Sequence, residues 1–304
     1  MREICLIITS VFIKVVTSRR PFLESRLPNL VSRISFLVTI FAVMINLQLA
    51  VDYIKHRFKS KTRHGVHSPF AYRLIDKVIY DFHAKPDYDK IEELRAELLK
   101  DERIINITDL GAGSHVNNNK QKQVNTLAKN LLKPAKLAQL IHRLAADQAP
   151  HNIIELGTCL GLTTAYLASA APDAQVISIE GCPETAAIAE ENLSGLRITN
   201  AGILVGNFDK LLPEVIALLP QLDFVFIDGN HRKDATLNYF KWCLPNLSEN
   251  SIMIFDDIYW SSGMKEAWNE IKAHPEVTVT IDLFWIGLVF VRKGQAKEDF
   301  SIKF

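Results

Sequence analysis

The stretch "IIELGTCLGLTTAYLA", Ile153 to Ala168, decides how this chain is read. An apolar run carries Glu155 near its end, turns through Gly157 and Gly161, and continues as an apolar helix-forming segment. That is the order of a strand, a nucleotide-cradling loop and a helix. A second stretch, "ITDLGAGSHV" (Ile107 to Val116), opens the same way and competes for the role. The residues that follow separate them. After "DLGAGS" comes "HVNNNKQKQ", polar and irregular, a poor helix start. After "ELGTCLG" comes "LTTAYLASAA", then "VISIE", a strand ending in Glu180, 25 residues beyond Glu155. That spacing fits a βαβ unit whose second strand offers a carboxylate to a ribose. The Ile153 stretch is therefore read as the cofactor loop. In the other, the glycines serve backbone geometry, at a place open to the substrate cleft.

Outward from this unit the pattern repeats. Short apolar runs recur at "GILVG" (Gly202 to Gly206), "LDFVFIDG" (Leu222 to Gly229), "SIMIFDD" (Ser251 to Asp257), "VTVTIDL" (Val277 to Leu283) and "IGLVFVRK" (Ile286 to Lys293). Helical segments such as "PETAAIAEENL" and "DATLNYFKWCL" separate the earlier ones. Near-continuous apolar strands alternating with helices imply a parallel sheet covered on both faces. The last two runs are joined by about two residues, too short for a parallel crossover, and form an antiparallel hairpin. The expected fold is α/β: a doubly wound, Rossmann-like, seven-stranded sheet with a helical N-terminal extension.

The chain has 304 residues, 48% apolar and 23% charged, as a globular protein should. Its net charge of +1 gives no field for nucleic acid. Four cysteines without a CxxC pair argue against a zinc site or a disulfide scaffold and suit a reducing, cytoplasmic setting. Three regions are expected: an apolar segment over 1–51, a helical cap or lid over 52–134, and the cofactor-binding domain over 135–304. Residues 34–51 carry no charge over 18 residues, at the lower edge of what spans a bilayer. Basic residues on both sides give the orientation rule no answer. Three readings stand: a membrane anchor, a buried or interfacial helix, or sequence upstream of a working start at Met44.

The turn Gly157-Thr158-Cys159-Leu160-Gly161 lacks the second glycine of the dinucleotide fingerprint, so a pyrophosphate is disfavoured. The "ELGTxxG" form instead resembles the first motif of class I S-adenosylmethionine-dependent methyltransferases. "VGNFDKLLPEV", "LDFVFIDGNHRKDATLNYF" and "IMIFDDIYW" are similar to later segments of the catechol and caffeoyl-CoA O-methyltransferase branch, and the terminal antiparallel pair matches its topology. The resemblance covers about residues 135–293. It implies S-adenosylmethionine as cofactor. Gly157, Thr158 and Gly161 form its loop, Glu155 lies near its amino group, and Glu180 with Gly181 holds its ribose. Asn207 and Phe208 flank its adenine, and Asp228 borders it. The resemblance further implies a divalent cation, usually magnesium, on Asp228, Asp256 and Asp257, although Asp257 stands where that branch has Asn. It places a catalytic lysine where this chain has His231, which can take a hydroxyl proton near neutral pH.

The expected activity is methyl transfer to an oxygen of a small-molecule acceptor. The rivals are transfer to a small amine and an inactive binding protein that keeps the fold. A nucleic-acid methyltransferase is disfavoured, because "DGNH" stands where base-modifying enzymes carry Asn-Pro-Pro-Tyr or Asp-Pro-Pro-Tyr. Membrane association through residues 34–51 and homo-oligomerisation both stay open. His64, His67, Tyr72, Tyr259 and Trp260 are candidates for the acceptor pocket, with core or surface packing as their alternative.

Overall fold

A computed structural model describes residues 47–108 and 121–304. The chain divides into two units, Met1–Lys59 and Ser60–Phe304. Of the first, residues 47–59 are helical. Most of the apolar segment over 1–51 therefore lies outside the described residues, as does the "DLGAGS" turn. No helix among the described residues is long and apolar enough to cross a membrane.

The second unit opens with helix α1 (Pro69–Leu74), which runs into a π-helical turn at Ile75–Ile79, then α2 (Pro86–Leu98). Strands β1 (Ile104–Asn106) and β2 (Gln121–Gln123) pair antiparallel on either side of the "DLGAGS" segment. The "KQKQ" read as irregular thus includes a strand. Helices α3 (Val124–Leu131) and α4 (Ala135–Gln148) follow, split at Pro134, whose ring fixes φ and cannot donate to a preceding turn.

The alternation expected from residue 152 onward is present. In order come β3 (Asn152–Leu156), α5 (Leu162–Ala170), β4 (Gln175–Glu180), α6 (Pro183–Gly195), β5 (Ala201–Val205), α7 (Phe208–Leu218) and β6 (Leu222–Ile227). After them come α8 (Lys233–Cys243), β7 (Leu247–Asp256), α9 (Ser262–Ala273), β8 (Val279–Asp282), β9 (Ile286–Phe290) and β10 (Glu298–Ser301). The sheet has eight strands, one more than the pattern suggested, in the order β10-β8-β9-β7-β6-β3-β4-β5. Strands β5, β4, β3, β6 and β7 are parallel. The expected hairpin is β8–β9, with β9 inserted antiparallel between β7 and β8. The added strand β10 lies parallel on β8, and Lys61 bridges to Ile302 beside it.

Successive strand residues face opposite sides of the sheet, and the core divides accordingly. Ile153, Phe224, Phe226, Ile252 and Ile254 join one cluster with α4, α5 and residues 66–79. Ile154, Leu156, Val225, Ile227 and Phe255 join the other with α7, α8 and α9. Ala71, Ile75 and Ile79 have no exposed surface. This part of the expected lid is a layer of the core, because its apolar residues are spent against the sheet. The parallel strands end at Leu156, Glu180, Ile227 and Asp256, the edge at which open α/β sheets generally bind ligands.

Candidate active site

The glycine turn after β3 is fixed by what surrounds it. Gly157 has φ of +101°, and a Cβ there would stand 2.0 Å from the Asp228 carbonyl oxygen. The turn and the end of β6 therefore approach as closely as backbones can, and the Asp228 N–H donates to the Leu156 carbonyl at 2.8 Å. Gly161, at φ +78°, caps α5 against Ala189 of α6. Thr158 is buried, and its hydroxyl pairs with Ser178 at 2.5 Å.

Glu180 closes this loop from β4. One carboxylate oxygen accepts from the Cys159 N–H at 2.7 Å and the other from the Cys182 N–H at 2.9 Å. Burial raises its pKa, and the hydrogen bonds from Cys182 and Cys159 oppose that. Glu155 lies deeper, without exposed surface. Ser178 and Thr164 both donate to one of its oxygens, while the other, Oε1, has no partner. Burial pushes Glu155 up to about 7 against those hydrogen bonds, and the charges of Asp228 and Glu180 add to the rise. At the next strand end, Asn207 caps α7 by accepting from the Asp209 N–H at 2.7 Å. Phe208 lies against Gly229 and edge-on to Tyr239, ring centres 6.1 Å apart.

Asp228, Asp256 and Asp257 lie around His231 and Lys133. His231 Nε2 stands 3.8 Å from Asp228 Oδ1 and 4.0 Å from Asp257 Oδ2. Asp257 takes a left-handed φ of +53°, held by its N–H donating to the Trp285 carbonyl at 2.8 Å. Asp256 is buried, and burial raises both Asp256 and Asp257 above the usual carboxylate range. One residue was not anticipated here. Lys133, in the break between α3 and α4, donates to Asp228 Oδ1 at 2.9 Å and also to Asp256. Its side chain is only 12% exposed. Burial alone would lower its pKa, but Asp228, Asp256 and Asp257 outweigh that and hold the ammonium well above the ordinary lysine range.

The other pocket candidates divide. Tyr259 donates to Asp282 at 2.8 Å and stacks on Phe284, so it is tied into the sheet edge. Trp260, next to it, is 48% exposed. Tyr72 sits on α1, 41% exposed, within the segment that packs against the sheet.

Residues 154–258 match the model of a family described as a methyltransferase domain. This stretch is a methyltransferase domain. A catechol O-methyltransferase of Niastella koreensis is 29% identical over 126 residues, 40% of this chain and 55% of the relative. An O-methyltransferase of Aspergillus flavus is 32% identical over 113 residues, 35% and 45% of the two chains. The chain thus spans about half the length of the curated relatives it matches. Among solved structures, the SAH-bound methyltransferase PaMTH1 of Podospora anserina superposes with a TM-score of 0.52 at 15% identity, over 75% of this chain and 97% of that one. At that identity the likeness is one of fold. The methyltransferase domain match ends two residues past Asp256, so it spans the glycine turn, Glu180, Asp228 and the Asp256–Asp257 pair but not Lys133.

Proposed function

We propose that this chain is an S-adenosylmethionine-dependent methyltransferase acting on an oxygen of a small-molecule acceptor. The observation that carries the reading is the Gly157–Gly161 turn, tied to Glu180 through the Cys159 N–H and backed by Asp228. The turn opens at the carboxyl end of β3, where open α/β sheets bind their ligands.

Each residue then has a task. Glu180, with Gly181 beside it, accepts from the ribose hydroxyls while its backbone bonds keep it in place. Glu155 Oε1, buried and unpartnered, is the acceptor left for the cofactor's ammonium group, directly or through water. Thr158 braces the loop from below. Asn207 and Phe208 flank the adenine, and Asp228 reaches from the next strand. His231 takes the proton of the acceptor hydroxyl. Alignment of donor and acceptor is the largest contribution such a site makes. The neutral balance of charge and the three free cysteines among the described residues, Cys159, Cys182 and Cys243, suit a cytoplasmic location.

The test is calorimetry of the full chain with S-adenosylhomocysteine. Binding is expected for the native chain. Glu180→Ala removes hydrogen bonds to a charged acceptor, each worth about 1.5–3 kcal/mol, so affinity should fall by more than roughly tenfold. An unchanged dissociation constant in that variant, with its fold intact, would sink the reading.

A further inference from the structure

The acceptor side of this site has the oxygen donors of a metal centre but not the vacancy. Asp228, His231 and Asp256 bring ligand atoms within 4.8 Å of one another. A divalent cation bound there would need their free oxygens, and magnesium takes only a near-octahedral oxygen shell. One oxygen of each aspartate is already engaged by a cation of the chain itself. The Lys133 ammonium donates to Asp228 Oδ1 and to Asp256 Oδ2, and Asp257 adds its charge to the same ammonium. A divalent ion on the same two carboxylates would sit against the positive charge of the buried Lys133 ammonium. The lysine is not a passing surface residue. It is buried, and Pro134 follows it directly, limiting the backbone that carries it. The donor set therefore does not fit a resident divalent ion.

We infer that Lys133 is the built-in cation of the acceptor pocket and that methyl transfer here needs no metal. The inference rests on the methyl-transfer reading given above. An ammonium carries three N–H donors, of which two serve Asp228 and Asp256. The third is available to the acceptor oxygen. That oxygen gives its proton to His231 and forms a bond to the methyl carbon as the carbon–sulfur bond breaks. The sulfonium leaves as a neutral thioether. Lys133 stabilises the negative charge that gathers on the oxygen. The change of cation also changes the substrate. A divalent ion chelates two adjacent oxygens, whereas one remaining N–H holds one. The acceptor expected is a single hydroxyl or a single anionic oxygen, and the catechol arrangement is not required.

The extra carboxylate at 257 fits this exchange. A lone ammonium among three carboxylates leaves the pocket negative, which suits a sulfonium donor arriving beside it. Removing the ammonium leaves three carboxylates facing one another, and that is a cation site.

The test needs no acceptor. Full-length protein saturated with S-adenosylhomocysteine is titrated with Mn²⁺ and read by electron paramagnetic resonance, with Mg²⁺ competition. The native chain is expected to bind no stoichiometric ion. Lys133→Met should gain one Mn²⁺ per chain, at least tenfold tighter than any binding by the native chain and displaced by Mg²⁺. Lys133→Arg, which keeps the charge, should stay without metal. One tightly bound Mn²⁺ in the native chain, abolished by Asp256→Asn, would overturn the inference. So would a folded Lys133→Met chain that binds none. If Lys133→Met does not fold, the native chain and Lys133→Arg decide by the same titration. Calorimetry with S-adenosylhomocysteine is read separately: failure there removes the methyl-donor reading, while the metal titration still reports on Lys133.

Discussion

Replacing Gly157 with alanine tests the geometry on which the site is built. At φ +101° a side chain is strained before any contact is considered, at about 1–3 kcal/mol. The added Cβ would meet the Asp228 carbonyl oxygen at 2.0 Å, where real Cβ contacts do not fall under 3.0 Å, so one backbone must yield by about 1 Å. Neither side has a flexible end to swing away. Moving Asp228 also strains its N–H bond to Leu156, worth about 1 kcal/mol. Together these two terms come to about 2–4 kcal/mol, with the backbone clash added to them, a large share of the roughly 5–15 kcal/mol that holds a typical domain folded. Gly161→Ala is the control. It has a positive φ too, but its nearest neighbour is a side-chain methyl, Ala189 Cβ at 2.9 Å, so it should lose about 1–3 kcal/mol. Urea unfolding gives both values, and calorimetry with S-adenosylhomocysteine shows whether the loop still binds. Gly157→Ala matching Gly161→Ala in midpoint, with native affinity, would refute the close approach of β3 and β6.

Glu155 makes stability depend on pH. Its carboxyl is raised from 4.5 to about 7, so the native state holds the proton more tightly than the unfolded chain does. That contribution is full below the ordinary carboxyl range and is lost as pH rises through about 7; it amounts to about 3 kcal/mol at 1.36 kcal/mol per unit. Glu155→Gln should flatten the stability profile between pH 5 and pH 8 by roughly that much, and a profile as steep as the native one would count against it. Tyr239 accepts from Asn230 and donates to Asp209, each at 2.9 Å, linking the loop after β6 to α7. Tyr239→Phe should cost about 1–2 kcal/mol in thermal or chemical unfolding. Arg143, buried on α4, donates to the Val78 and Ile79 carbonyls that end the π-helical turn. Arg143→Met should cost about 2–3 kcal/mol and raise hydrogen exchange first in residues 75–80.

What could be read from the residues was the part in which local pattern and burial agree. The "FVFI" of β6 is apolar on both faces because both faces are covered, so an unbroken run sufficed. Gly157 announced the turn because a side chain has no room at that conformation next to the Asp228 carbonyl, and Gly161 because its φ is positive too. Glu298–Ser301 gave no such signal. "EDFS" is a strand because β8 offers it a partner, with the Glu298 N–H on Thr278 and the Ile302 N–H on Asp282. Helical periodicity in the 52–134 stretch could not say that Ala71, Ile75 and Ile79 would be core. Lys133 was out of reach for a similar reason. Its partners lie 95 and 123 residues away, and nothing around "LLKPAK" distinguishes it from a solvated lysine. The resemblance did imply a cation on Asp228, Asp256 and Asp257. The sequence pointed to the need without showing that the chain supplied it.

The placement of β9 bears on the order in which this molecule becomes complete. Asp256 pairs in register with Ile286, and the bend that presents Asp257 is closed by the Trp285 carbonyl. Both partners emerge from the ribosome well after the glycine turn, Glu180 and Asp228. On the proposed reading, damage at Trp285 or Ile286 should be felt as lost chemistry before it is felt as lost nucleoside affinity.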